Sequence, residues 1–444
     1  MAAGTLGDRL RALPLVSAVT QPEAKPASAK PVPAKPAPAK RFSLRPALVW
    51  AHRILGLSTA LFLVVAGLTG SVLAFHHELD EWLNPSAYRA TALGTPLSPD
   101  ALARAVEATH PDGRVWYMAL APAGHAADVA AMGPIDPATG EAMDIPADSF
   151  QVDPVSGEVL AARLWGACCF SAPKIMPFLY EFHHNLSLPG VYGILFMGVV
   201  AVLWLVDGFV GFALTLPRGR PFLTKWRSAF TIKGGSAFRL NLDWHRAAGL
   251  WLFVVLIALA LSSVAMNLRQ EVVEPVVRLF SQLTPTPFSG APLAPLRART
   301  LPFDPVLEAG VKEARARGWS EPASEIFYSP HYGVFGVAFG DHDDPMDTRW
   351  LYFDGATGAL RSAAIPGAGT AGDVFLQLQF PIHSGRVFGL AGRIIIAVMG
   401  VVIAGLAITG VAVWWMKRKG RVGRKAKARA GTVSDARSKA MPAE

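Results

Sequence analysis

The chain has 444 residues, 52% hydrophobic and 17% charged, with a net charge of +9 and a mean hydropathy of +0.33. That balance is more apolar than a soluble globular domain and argues for a membrane protein. Two cysteines rule out a disulfide scaffold, the apolar content rules out wholesale disorder, and the basic surplus beside apolar spans reads as topology rather than as a nucleic-acid surface.

In chain order, residues 1–44 repeat lysine and proline among small residues, as in Lys25-Pro26 and Lys35-Pro36, and predict a disordered, polyproline-like arm. Ile54 to Phe75, Ala247 to Met266 and Ile394 to Met416 contain no charged residue, and Leu186 to Leu216 contains only Asp207. Each reaches the roughly 20 residues that cross a bilayer. Transmembrane helices are therefore expected at 45–76, 183–216, 244–267 and 383–416. The first apolar stretch lies behind a polar segment, so it is not expected to be a cleaved signal peptide.

Of 42 lysines and arginines, nine lie in 1–53, seven in 215–246 and ten in 417–444. The positive-inside rule then makes both termini and the loop 217–243 cytoplasmic, with a basic cytoplasmic tail at 417–444. Segments 77–182 and 268–382 become external, periplasmic in a bacterial inner membrane. Trp50, Trp82, Trp244, Trp414 and Trp415 fall at span ends, as interfacial rings do.

The external segments each open on a helix signal. Ser98-Pro99-Asp100 heads Ala101 to Thr109, and Asp304-Pro305 heads Val306 to Arg317. Strands are predicted at Arg114 to Leu120, Ser149 to Asp153, Glu325 to Tyr328, Val334 to Phe339 and Trp350 to Phe353. Asp153-Pro-Val-Ser-Gly157 and Asp354-Gly-Ala-Thr-Gly358 read as tight turns. Each segment is thus expected to be a small α+β domain.

The chain also repeats itself. Trp50-Ala51-His52-Arg53-x-x-Gly56-Leu57 opens the first span and Trp244-His245-Arg246-x-x-Gly249-Leu250 the third, while His184, Gly190 and Gly211 recur 199 positions later as His383, Gly389 and Gly410. The expected architecture is a mainly α membrane protein made of two parallel helix-domain-helix repeats.

These paired His-Arg-x-x-Gly-Leu starts, with Leu68-Thr69-Gly70, Ile408-Thr409-Gly410 and Phe75-His-His-Glu78-Leu79-Asp80, resemble the PepSY-associated transmembrane family over about residues 45 to 418. That resemblance implies two PepSY-like external domains. It further implies an inner-membrane protein of iron uptake, since the family includes haem-containing ferric siderophore reductases. No segment here is long enough for the flavin or nicotinamide domain fused to some relatives, so neither cofactor is expected.

Eleven histidines occur, and His52, His76, His77, His183, His184, His245 and His383 lie at or near span ends. A b-type haem between helices needs two facing imidazoles, and duplication supplies one matched pair per membrane face. His52 with His245 is the expected ligand pair on the cytoplasmic side, and His184 with His383 on the external side. His183 and His76 are the substitutes there. Arg53, Arg246, Arg386 and Arg393 are candidate partners for haem propionates. Asp207, the one acid within a span, is a candidate for proton relay to a quinone or for an arginine pair. Adjacent Cys168 and Cys169 could stay free, pair between molecules or line a substrate surface, and Asp341-His342-Asp343-Asp344 reads as a solvated turn before a cation site.

The function expected from sequence and resemblance together is a cytochrome carrying two haems b. It would pass electrons from quinol or a cytoplasmic reductase to a periplasmic ferric siderophore or other metal complex, lipid being its other partner. The contrasting expectation is a membrane-anchored binding or regulatory protein without redox chemistry, for which the histidines would matter little.

Overall fold

The computed structural model describes residues 44–439 apart from 122–123 and 342–343, with side chains as far as residue 424. The predicted arm, up to residue 43, therefore lies outside the described residues, as do His342 and Asp343 of the acidic turn.

Helix α1 (Arg45–Leu73) runs 29 residues and breaks at Ala74–Phe75 before α2 (His76–Leu83). Then come α3 (Pro99–Thr109), strands β1 (Arg114–Ala119), β2 (Ala127–Met132), β3 (Ser149–Val152) and β4 (Val159–Arg163), and helices α4 (Ala172–Asn185) and α5 (Tyr192–Thr215). The second half holds α6 (Ala237–Trp251), α7 (Phe253–Asn267), α8 (Phe303–Ala316), β5 (Ala323–Ser329), β6 (Val334–Phe339), β7 (Arg349–Asp354), β8 (Leu360–Ala364), α9 (Gln379–Ser384) and α10 (Gly389–Lys439), with short helical turns between.

Among the described residues, three stretches, Arg45–Leu73, Tyr192–Thr215 and Arg386–Arg424, are long and apolar enough to cross a membrane. The third predicted span is the pair α6 and α7, bent by 72° at Leu252, and makes a fourth crossing when counted as one. Leu61, Phe209, Val254 and Val401 stand exposed on these helices, as lipid-facing side chains do. The second and fourth spans start later than predicted, at Tyr192 and Arg386 rather than at residues 183 and 383. Left-handed backbone at Leu186 (φ 58°) and Gly385 (φ 78°) ends α4 and α9 first, so the histidines ride on those two preceding helices.

Two contacts fix the bundle. Helices α1 and α10 cross at Gly67 and Gly400, where a Cβ on either residue would overlap the other's carbonyl, so only glycine permits the approach. At the start of α1, the Arg45 guanidinium donates to the carbonyls of Leu214 (2.7 Å) and Leu216 (3.3 Å) at the far end of α5.

The two segments between the spans, 77–182 and 268–382, do not stand apart. Their strands form one antiparallel sheet of eight, in the order β4-β3-β2-β1-β5-β6-β7-β8, joined where β1 lies against β5 with Tyr117 opposite Phe327. One apolar core serves both halves, holding Leu102, Val106 and Phe150 with Phe303, Ile326 and Phe335. The helix starts explain the fusion. Asp100 accepts from the backbone N–H groups of Phe303 and Asp304 (2.9 Å each), and Asp304 accepts from the N–H of Asp100 (3.0 Å) and the hydroxyl of Ser98 (2.6 Å). Each aspartate thus caps the other segment's helix, satisfying donors that its own chain leaves open. Asp304 was expected to cap its own helix, but α8 begins one residue earlier, at Phe303.

A buried ion pair ties α2 to the sheet edge. Arg163 of β4 donates to Asp80 of α2 at 2.7 Å, and the Tyr88 hydroxyl donates to the same carboxylate at 2.6 Å. Burial raises the Tyr88 phenol well above its ordinary range, against the opposing pull of Arg163, so it stays a donor.

Candidate functional site

Local sequence places a histidine on each of four helix segments, and the bundle brings them together in two pairs. His52 on α1 and His245 on α6 have ring centres 6.0 Å apart at the end of the bundle away from the sheet. His183 on α4 and His383 on α9 have ring centres 6.2 Å apart at the sheet end. Since His183 bonds to Thr69 of α1, 17 residues beyond His52, the pairs are about 26 Å apart along that helix at 1.5 Å per residue.

All four rings are held by Nδ1. His52 Nδ1–H donates to the Asp207 carboxylate at 2.8 Å. His245 Nδ1–H donates to the Leu406 carbonyl at 3.0 Å, with Thr409 Oγ1 at 3.2 Å. Thr69 spends its own proton on the Val65 carbonyl, so its oxygen accepts from His183 Nδ1 at 2.9 Å. Ser262, donating to the Leu259 carbonyl, likewise accepts from His383 Nδ1 at 3.1 Å. One tautomer follows for every ring: the proton on Nδ1 and the lone pair on Nε2, the arrangement that ligating histidines adopt.

Glycines seat three of the rings. A Cβ at Gly70, Gly211 or Gly410 would lie 2.9, 3.3 or 3.1 Å from Cε1 of His183, His52 or His245 respectively. These are closer than ordinary carbon contacts, so a side chain there would push the ring aside.

The residues fit a metal held between imidazoles. Imidazoles that each bonded one metal ion through Nε2 at about 2.0 Å would have ring centres no more than about 6.3 Å apart. Both observed separations are close to that value. The rings also remain only partly buried within the bundle.

Several predicted residues fall elsewhere. His184 does not face His383; it lies one residue round α4 from His183, on the side of Tyr180, 6.4 Å away. His76 lies tilted against His77, ring centres 3.8 Å apart, beyond the break that ends α1, and so takes no place in the sheet-end pair. Arg393 bonds the Ala74 carbonyl at 2.9 Å and Glu78 at 2.6 Å and lies over the Phe75 ring, bracing the α1–α2 break. Arg246 is spent on buried Asp243 (2.9 Å) and on carbonyls of Ser228 and Ala229, which fasten the preceding loop. Arg53 is exposed, as an interfacial arginine would be. Asp207 pairs with His52 rather than with an arginine. Cys168 contacts Cys169 as a vicinal pair.

Sequence reasoning overlooked a cleft of about 720 Å³ between the sheet and the near end of the bundle. Its walls are aromatic, with Trp116, Trp165, Tyr180 and Trp350, and Glu325, Arg386, His76 and His77 add polar groups. The signal was faint because the lining comes from two distant stretches of the chain, residues 76–180 and 325–386.

Fold and site together define a mainly helical, multi-pass membrane protein that carries a β-sheet outside its apolar spans and two histidine pairs among its helices. Residues 49–417 match the family described as PepSY-associated TM region, and the chain belongs to that family. No curated protein matches the sequence.

Proposed function

We propose that this chain is a bacterial inner-membrane b-type cytochrome that carries electrons across the membrane to a ferric chelate, a siderophore complex or a similar metal complex, on the periplasmic side. The observation that carries the reading is the double histidine pairing, with every Nδ1 engaged and one pair near each end of the spans. His52 with His245, and His183 with His383, would hold one haem b each, and bound haem would supply a one-electron couple. The positive-inside count supports a cytoplasmic position for the His52–His245 pair, with both termini.

The protein would do two things. It would fix the imidazole tautomers, and it would offer the aromatic cleft, whose Tyr180 and Phe380 stand three residues before His183 and His383, as a docking place for the chelate. One electron converts the chelate's ferric centre to ferrous, which most siderophores hold far more weakly. The donor is quinol or a separate reductase. A parallel duplication accounts for the design: His52 and His245, and Thr69 and Ser262, are each 193 positions apart, Asp100 and Asp304 are 204 apart, and the sheet order mirrors itself about β1–β5.

The test is anaerobic mixing of dithionite-reduced, detergent-purified protein with a ferric hydroxamate chelate in the presence of a ferrous-specific dye. The expected result is haem reoxidation matched by stoichiometric ferrous dye complex. Reduced haem that persists unchanged beside ferric hydroxamate, ferric catecholate and ferric citrate alike would overturn the proposal.

A further inference from the structure

We infer that Asp207 is a positioning residue that makes the His52–His245 site the more reducing of the two, and so directs electrons toward the sheet end of the bundle. The inference rests on the haem reading above.

It starts from an asymmetry in an otherwise repeated arrangement. Three of the four imidazoles donate to neutral oxygens: the Leu406 carbonyl with Thr409, the Thr69 hydroxyl and the Ser262 hydroxyl. Only His52 donates to a carboxylate, at the shortest of these distances, 2.8 Å. The position 199 residues beyond Asp207 is Leu406, whose backbone carbonyl serves His245 instead. The duplicated scaffold therefore offers an acceptor in both places, but an acid in one.

The acid is accommodated deliberately by its surroundings. Asp207 is buried on α5, and a Cβ at Gly56, four residues after His52 on α1, would come within 3.3 Å of its second oxygen. A carboxyl group inside an apolar span is costly unless a partner or a function retains it, and here its partner is a ligand candidate. A hydrogen bond from a ligating imidazole to an anionic acceptor raises the electron-donating power of the imidazole, which stabilises the ferric form and lowers the potential of the iron. Away from water that influence is weakly screened. Hydroxyl and carbonyl acceptors do the same to a smaller degree.

The experiment is an optical redox titration of the purified full chain. The wild type should titrate as two components, and His383→Ala, which removes the sheet-end site, should leave the lower one. Asp207→Asn keeps an acceptor of the same shape without the charge. It should shift the lower component's reduction equilibrium at least tenfold toward ferrous, which is 59 mV for a one-electron couple, and leave the upper component in place. Unmoved components in Asp207→Asn, or movement of the upper one, would overturn the inference while leaving the cytochrome reading intact. Should Asp207→Asn lose its haem, His383→Ala still decides, because survival of the higher-potential component there contradicts the inference. Wild-type protein without haem would remove the parent reading itself.

Discussion

Asp153 opens the turn after β3, and its carboxylate accepts four backbone N–H groups: Thr91 and Ala92 at 3.0 Å each, Val155 at 2.9 Å and Ser156 at 3.1 Å. Burial alone would raise its pKa, but the four donors outweigh burial and bring it from 3.8 down to about 2. At 1.36 kcal/mol per unit, that difference contributes about 2 kcal/mol of stability. The folded pKa lies below the unfolded one, so the contribution is complete above about pH 4 and is lost as pH falls through about 2. About half is gone at pH 3 by the same linkage. Asp153→Asn should therefore lower the tryptophan-fluorescence melting midpoint of the external sheet at pH 7 by about 4–8 °C, taking about 2–4 °C per kcal/mol for a unit of this size. The gap should shrink by about half at pH 3. A variant that melts with the wild type at pH 7, or whose deficit is equal at pH 7 and pH 3, would refute the reasoning.

Arg163→Leu should cost about 3–5 kcal/mol, because it strands buried Asp80, while Arg163→Leu with Asp80→Leu recovers part of the loss; chemical unfolding of the four proteins of the cycle measures it. Gly400→Val should destabilise the α1–α10 crossing by about 1–3 kcal/mol, read as a lower midpoint for loss of monodisperse protein in mild detergent. Gly70→Val should displace His183 and reduce haem to about one per chain, whereas Gly249→Ala, with nothing within 4 Å of its Cβ position, should retain two.

Much of the fold was legible because the strongest signals were chemical and local. The apolar spans, the Ser98-Pro99 helix start and β6 at Val334–Phe339 carry their own pattern, and β6 has the predicted bounds. Strands β2, β4 and β8 went unpredicted because ADVAAM, VLAAR and LRSAA are rich in alanine, which has little preference for strands. The single sheet was hidden for another reason: it depends on β1 meeting β5 and on Asp100 and Asp304 exchanging caps, contacts between residues some 200 positions apart. At the site, the 193-residue offset matched His52 with His245, two rings that the packed helices bring together. The 199-residue offset pointed to His184, whereas the packed helices bring its neighbour His183 against His383. Thr69 and Thr409 stood in noted motifs, but only the packed helices reveal that they hold imidazoles.

The central claim is that His52–His245 and His183–His383 each bind one haem. The most direct test is the oxidised and dithionite-reduced absorption spectrum, with haem quantified per chain, of detergent-purified wild type, His245→Ala, His183→Ala and His184→Ala. The account predicts two b-type haems in the wild type, one in His245→Ala, one in His183→Ala and two in His184→Ala. No haem in wild-type protein produced with ample haem supply would contradict it.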